Sequence, residues 1–381
     1  MKKKLNVILL GLVSFLNDMS SEIIAPVLPL LITSMGGSGV IVGLVGGLRE
    51  AVASLLKTVS GFWSDKVKKR KVFVFSGYLT SSVFKLVLVF VTSWQQLLAV
   101  VGLERVGKGM RDAPRDAIIS ESMPKKKGKA FGLHRAFDTS GAILGSILAF
   151  LLFWYLGLSF KTIILIAALL AFLSLIPIKF VKEQKFEKNK SFKFNFRQLS
   201  LKLKLFFVIA GIFALANFSY MFFVLKAKSA FTGKLAIGIP LLLYVLYNMF
   251  YAGFSIPLGV LADKIGKRKV IIAGYLLFAL VCLGFAFFNS LWMYILLFAL
   301  YGLVYAITDA NQRAIVSDLS EEKVRATSLG IYHTIIGLMA LPSSLIAGWL
   351  WNINTVYTFL FASCLSLSAS VLFFTLRKRF V

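Results

Sequence analysis

Apolar stretches separated by short polar connections follow one another along the whole chain. A helix needs ~20 apolar residues to cross ~30 Å of hydrocarbon. On that measure the pattern predicts membrane-spanning helices near residues 5–33, 38–62, 72–92, 94–121, 130–156, 160–181, 204–228, 235–262, 270–288, 290–318, 325–350 and 354–376. The stretch 183–203 breaks the rhythm, being polar and Lys-rich with Phe between the charges. It reads as a cytoplasmic basic linker lying on the anionic inner leaflet. The predicted fold is an all-α membrane protein of twelve transmembrane helices, with a six-helix bundle over 1–182, the linker 183–203 and a second six-helix bundle over 204–381. The first apolar run carries Asn17, Asp18, Glu22, Pro26 and Pro29 and is followed by no small-residue cleavage site. It is therefore expected to be a retained span and not a signal peptide.

Composition supports lipid as the outer solvent. Hydrophobic residues make up 58% of the 381 and charged ones only 15%, which leaves too little polar surface for a water-soluble particle. A formal charge of +27 would suggest nucleic acid if it formed one basic face. Instead the cations gather in connections: Lys2 to Lys4, Lys66 to Lys71, Lys125 to Lys129, Lys182 to Lys204, Lys264 to Lys269 and Arg377 to Arg379. Every second connection is basic and the alternate ones are nearly bare, which places both termini and the linker on the cytoplasmic side of the cell membrane. Membrane lipids are thus expected partners, nucleic acid is not, and a monomer is expected. Cys282 and Cys364 both lie in apolar stretches and suggest neither a disulfide framework nor a metal site.

An internal repeat links the halves. Gly61-Phe-Trp-Ser-Asp65 with Arg70 follows the second span, and Gly259-Val-Leu-Ala-Asp263 with Arg268 follows the eighth, 198 residues later. At the same offset Arg115 meets Arg313, Gly132 meets Gly330 and His134 meets Tyr332. Parallel repeats of this kind build one large class of secondary transporters.

Both copies resemble the loop signature G-x-L-A-D-R-x-G-R-K of the major facilitator superfamily. The first copy departs from it, with Lys68 where the second glycine belongs. Pro26-Val-Leu-Pro29 looks like the P-V-x-P element of proton antiporters, and Arg105-Val-Gly-Lys-Gly109 is similar to the R-x-x-Q-G core of the family's fourth span, with Lys108 replacing Gln. The resemblance implies that spans one, four, seven and ten line a central cavity. It also implies a cytoplasmic latch between opposite halves, formed by Gly61, Asp65, Arg70 and Glu121 with Gly259, Asp263, Arg268 and Asp318.

Ionisable residues inside spans are costly, so they mark function by default. Of the 16 acidic residues, Asp18, Glu22, Glu50, Glu104, Asp112, Asp116, Asp138 and Asp309 fall within the predicted spans, all but Asp309 in the first half. In the fourth span Glu104, Arg105, Lys108, Arg111, Asp112, Arg115 and Asp116 fall within an arc of roughly 140°. That stripe implies a water-filled cavity, or pairing along the helix such as Lys108 with Asp112 or Arg111 with Asp116. Depth counting separates an upper layer (Asp18, Glu22, Arg49, Glu50, Glu104, Arg105) from an inner one (Asp112, Arg115, Asp116, His134, Arg135, Asp138). Asp18, Glu22 and Glu50 with Arg105 suit proton coupling, because a buried carboxylate near an arginine can exchange a proton as its surroundings change. Asp18 is the first choice as carrier, with Arg105 as its partner. The inner layer suits a gate or the substrate's polar contact, and Asp309, Arg313 and His333 are the second half's candidates. Aromatic residues of spans seven and eight are expected to pack or to form an apolar wall.

A proton-coupled exporter working by alternating access, using protons and a small-molecule substrate, is the leading expectation. The alternatives are a symporter or uniporter importing a small anion and a flippase-like carrier of amphiphiles. No nucleotide-binding loop, cofactor motif, metal-ligand cluster or nucleophile–base constellation points to an enzyme.

Overall fold

The computed structural model of the protein describes residues 2–67, 69–123, 127–182, 199–321 and 325–376, and every regular element among them is helical. The helices are α1 (Lys2–Ile24), α2 (Leu28–Ser34), α3 (Gly39–Val67), α4 (Arg70–Val87), α5 (Trp94–Ser122), α6 (Lys127–Trp154), α7 (Phe160–Leu173), α8 (Leu175–Phe180), α9 (Leu201–Ala216), α10 (Met221–Ser229), α11 (Leu235–Ile265), α12 (Lys267–Phe287), α13 (Leu291–Leu319), α14 (Arg325–Ile353) and α15 (Thr355–Thr375). Among the described residues, eleven stretches are long and apolar enough to cross a membrane. The twelfth crossing is α5, whose 29 residues make a helix about 43 Å long. Its charged stripe keeps its mean hydropathy low.

Local sequence sets where these helices begin and break. Ser93, Ser159 and Ser290 each accept from the backbone N–H three residues on, and Asn354 accepts from that of Val356. Each thus satisfies a donor that the first turn leaves open. The first span divides between α1 and α2 at the Pro26-Val-Leu-Pro29 run, with Pro29 in the first turn of α2, where its missing N–H costs nothing. The seventh span divides without proline. There Ser343 Oγ donates to the Leu215 carbonyl (2.8 Å), Ser219 N–H donates to Ser344 Oγ (3.2 Å), and Tyr305 OH donates to Asn217 Oδ1 (3.1 Å). In lipid such freed backbone groups need protein partners. Of the expected linker 183–203, residues 183–198 lie outside the described residues, and α9 already begins at Leu201.

Two compact units form. The first comprises Met1–Gly37 and Leu48–Asn189, the second Ser38–Gly47 and Lys190–Val381. The first turns of α3 belong to the second unit because they pack on α14 there, Gly39 N–H donating to Asn352 Oδ1 at 2.9 Å. In the first unit, Gly141 and Gly145 of α6 lie against the α1 backbone at Phe15 and Met19, and Gly77 of α4 crosses Gly107 of α5. Small residues let helix backbones approach where lipid offers no hydrophobic drive. Val7, Leu10, Val13, Val74, Tyr78, Ile118 and Ile119 close the core at one end of that unit. The second unit is built on rings: Phe223 stacks on Tyr301 at 4.2 Å, and Phe285 stacks on Phe359 at 5.5 Å.

The two copies of the loop signature end their helices differently. Gly266 follows α11 with φ +100°, a conformation open to glycine, and its N–H bonds the Ala262 carbonyl at 3.0 Å before α12 begins. In the first copy Lys68 stands at this place and lies outside the described residues.

Candidate functional site

Two contacts fix the level of each charge on α1 against α5. Asn6 Nδ2 donates to Ser122 Oγ (3.4 Å), and Arg115 Nη1 donates to Ser14 Oγ (3.4 Å). The helices therefore run antiparallel. Counting from Asn6 and Ser122, Asp18 stands level with Met110, and Glu22 with Val106. The expected pairing of Asp18 with Arg105 is corrected by this register. The charged groups acting on Asp18 are Lys108, Arg111, Arg115 and Asp138, and Arg105 instead pairs with its neighbour Glu104, Nε to Oε2 at 3.0 Å. Depth counted from helix ends does not supply this register, which the Asn6 and Arg115 contacts set.

The stripe on α5 is largely self-paired, though not in the i,i+4 pattern. Arg115 holds Asp116 (2.9 Å) and Asp112 (3.6 Å), and Lys57 of α3 stands 4.0 Å from Asp116. Arg111 is 2% exposed. It donates to Ser81 Oγ at 2.6 Å, and its guanidinium lies 4.2 Å above the Tyr78 ring, a favourable cation–π placement. On α6 His134 Nδ1 is 3.5 Å from Asp138 Oδ2. Asp18 differs from these acids: among the described residues no ion pair or hydrogen bond reaches its carboxylate, although four charged groups surround it. Glu22 and Arg49 have partners of their own. Glu50 is exposed beside buried Arg49, so the structure does not bring it to the Asp18 group. Arg135 is exposed at the start of α6.

One functional candidate escaped the sequence reading. Lys85 of α4 is 2% exposed and donates to Ser21 Oγ (2.9 Å), Ser20 Oγ (3.0 Å), and the Asn17 backbone and side-chain oxygens (3.3 and 3.4 Å). These contacts span α1 from Asn17, the residue before Asp18, to Ser21, three residues after it. A lone lysine inside an apolar span was the available signal.

In the second unit Asp309 accepts from Arg313 Nη2 (2.6 Å) and from Tyr251 OH (2.7 Å). Tyr332 OH donates to Gln312 Oε1, whose amide donates to Tyr275 OH at 3.0 Å. His333 is half-buried with its ring 5.3 Å from that of Tyr332. The rings Tyr247, Tyr251, Tyr301 and Tyr305 pack with centroids 4.9–6.2 Å apart. Packing or an apolar wall was expected of the aromatic residues in spans seven and eight: Tyr247 packs against buried Tyr301, while half-buried Tyr251 and Tyr305 direct hydroxyls to Asp309 and Asn217.

Two contacts of the loop signatures are made within a single unit. Arg70 donates to Glu121, joining α4 to α5. Lys267 sits between Asp318 (2.7 Å) and Asp263 (3.8 Å), joining α12 to α13 and α11. Arg268 has a partner as well, and the side chain of Asp65 lies outside the described residues. A Cβ on Gly61 would meet Ala113 at 3.2 Å, whereas one on Gly259 would meet open space. Among the described residues no group of acids, histidines and cysteines could hold a metal ion.

Comparison with known proteins places this geometry. The family model described as Major Facilitator Superfamily matches residues 10–242 and 206–380. An uncharacterised MFS-type transporter of Methanocaldococcus jannaschii is 55% identical over 372 residues, covering 96% of this chain and 94% of the relative. The multidrug resistance protein MdtG of Salmonella schwarzengrund is 25% identical over 79% of this chain and 77% of its own. Among solved structures, the nucleoside transporter NupG superposes with a TM-score of 0.78 at 13% identity, covering 98% of this chain and 99% of that one. Identity that low reports the fold alone.

Proposed function

Because the chain belongs to the Major Facilitator Superfamily and so transports by alternating access, we propose that it is a proton-coupled exporter of small organic molecules with Asp18 as proton carrier. The observation that carries this reading is Asp18 itself, a mid-span carboxylate surrounded by Lys108, Arg111, Arg115 and Asp138 yet held by none of them. Arg115 holds the Asp116 and Asp112 carboxylates in fixed contacts. A carboxylate that is merely surrounded can take up or release a proton when its neighbours shift or water reaches it.

Export is supported by the Pro26-Val-Leu-Pro29 break and by the likeness to a multidrug resistance protein. Half-buried Tyr251 and Tyr305, with Asp309 bonded to Tyr251, support a substrate that joins an apolar ring to a polar edge. In this reading both termini face the cytoplasm, on the side of the basic connections. The latch signatures act as charge clusters that change partners during the cycle.

Proteoliposomes loaded with a pH-reporting dye test the reading, with ethidium as the probe. Antiport predicts that external ethidium makes the lumen more alkaline as protons leave in exchange. Acidification would mean symport and overturn the export reading, and no proton signal during ethidium uptake would overturn proton coupling.

A further inference from the structure

Along α13, at steps of about one turn, Tyr305, Asp309 and Arg313 lie on one side of the helix, and all three are half-buried. The Asp309 and Arg313 side chains are 37% and 39% exposed, whereas those of the Glu104–Arg105 pair on α5 are 12% and 6% exposed. An ion pair within an apolar span does not face lipid. This side of α13 therefore faces a polar space, and its charges are open to a ligand.

Both charges are held in place from behind. Arg313 Nε donates to the Asp309 backbone carbonyl (3.0 Å), and Nη2 donates to Asp309 Oδ2 (2.6 Å). Tyr251 OH of α11 donates to the same Oδ2 (2.7 Å). Arg313 Nη1 makes no hydrogen bond among the described residues. With the second hydrogen of Nη2 it forms the outer edge of the guanidinium, a fork that grips a carboxylate through two parallel bonds. A carboxylate has about four acceptor positions, so Asp309 can accept from an amine while keeping Arg313 and Tyr251. One turn away, about 6 Å along the helix, the Tyr305 ring stands 5.8 Å from that of Tyr251, and its hydroxyl donates to Asn217 Oδ1.

We propose that this stripe receives an aromatic zwitterion, with its carboxylate on the outer edge of Arg313, its amine on Asp309 and its ring against Tyr305 and Tyr251. Charge decides the class. The pair is neutral as it stands, so a singly charged ligand adds an unbalanced charge within a span, whereas a zwitterion brings one partner to each side. Ethidium offers the ring and the cationic half alone, which makes it a substrate of lower affinity. The repeat marks the stripe as particular to the second half. At the shared offset Tyr305, Asp309 and Arg313 correspond to Gly107, Arg111 and Arg115; Gly107 packs on Gly77, and Arg111 lies over Tyr78. This inference rests on the reading that the second unit takes the substrate, and needs neither proton coupling nor a direction of transport.

L-tryptophan, tryptamine and indole-3-propionate share one ring and differ in charge. Equilibrium dialysis of each radiolabelled compound against the purified full-length protein reads binding alone. Tryptophan should bind about tenfold or more tightly than either of the others, the effect of one charge-assisted bond. Arg313→Gln should bring tryptophan down to the affinity of tryptamine, and Asp309→Asn should bring it down to that of indole-3-propionate, whereas a damaged fold weakens all three compounds alike. The wild-type ranking needs no variant. Tryptamine or indole-3-propionate binding as tightly as tryptophan, binding of none of the three, or a ranking that survives both substitutions overturns the proposal. The proton signal with ethidium in proteoliposomes is read separately: a failed ranking leaves the export reading standing, and a missing proton signal leaves the ranking standing.

Discussion

Gly77→Ala perturbs the α4–α5 crossing with a single methyl group. An added Cβ would lie 2.6 Å from the Gly107 carbonyl oxygen and 2.7 Å from Arg111 Cβ. Both obstacles belong to or adjoin the backbone, so no flexible side chain can give way. Ordinary carbon contacts begin near ~3.5 Å, and a gap of 0.5–1 Å forfeits roughly a quarter to a half of each dispersion contact along the seam. Moving the helices apart by that distance also stretches the Ser81 bond to the Glu104 carbonyl, now 3.0 Å, to the limit of hydrogen bonding, a loss of about 1 kcal/mol. The sum is about 1–3 kcal/mol, the usual cost of overpacking. Gly107→Ala meets the same seam from the other side, through Gly77 O and Ser81. The double variant should therefore cost less than the two single costs added together, because the helices need separate only once. Gly253→Ala is the control: nothing lies within 4 Å of its added Cβ, and a helical Ala should be neutral or gain about 0.5–1 kcal/mol. Unfolding by SDS in mixed micelles reads all four. If Gly77→Ala unfolds at the wild-type SDS fraction, or if the double variant is fully additive, the α4–α5 seam is not the close contact described here.

Gly266→Ala should lower the unfolding temperature although its Cβ meets nothing, because φ is +100° and an L-residue in that region costs about 1–2 kcal/mol; Gly259→Ala, equally open, should not. Asp309→Asn removes the charge that Arg313 and Tyr251 share and should slow ethidium flux more than tenfold while sparing expression, as measured in proteoliposomes; Tyr251→Phe should slow it less. Lys85→Met strips α1 of four oxygen contacts and should speed amide exchange around Asn17 to Ser21, as read by hydrogen–deuterium exchange; unchanged exchange there would mean that α1 does not depend on Lys85.

The spans were legible because crossing a membrane imposes length and apolarity, which sequence displays directly. Even α5, the most charged crossing, was readable from the arc its charges occupy. The 198-residue repeat revealed the paired halves through Asp65 and Asp263. Partnerships were less readable. Arg115 pairs with its chain neighbour Asp116, and Arg105 with Glu104, whereas helix spacing alone favours partners three or four residues apart. Side-chain length and the neighbouring helix decide between these. Asp18 was matched with the wrong arginine because the level of α1 against α5 is set by Asn6 on Ser122, a contact between residues far apart in sequence. The hydroxyl network of Tyr275, Gln312 and Tyr332 was invisible for the same reason. In an isolated span each of those residues looks like ordinary packing.

The central claim is that Asp18 carries the coupled proton. Asp18→Asn is nearly isosteric and cannot ionise, so it separates the proton's role from the fold's. In proteoliposomes, ethidium accumulation driven by an imposed pH gradient should fall to background in this variant. Exchange of ethidium against ethidium with no gradient should continue at a rate comparable to wild type, because reorientation with substrate bound needs no proton. Gradient-driven accumulation that survives Asp18→Asn would contradict the account.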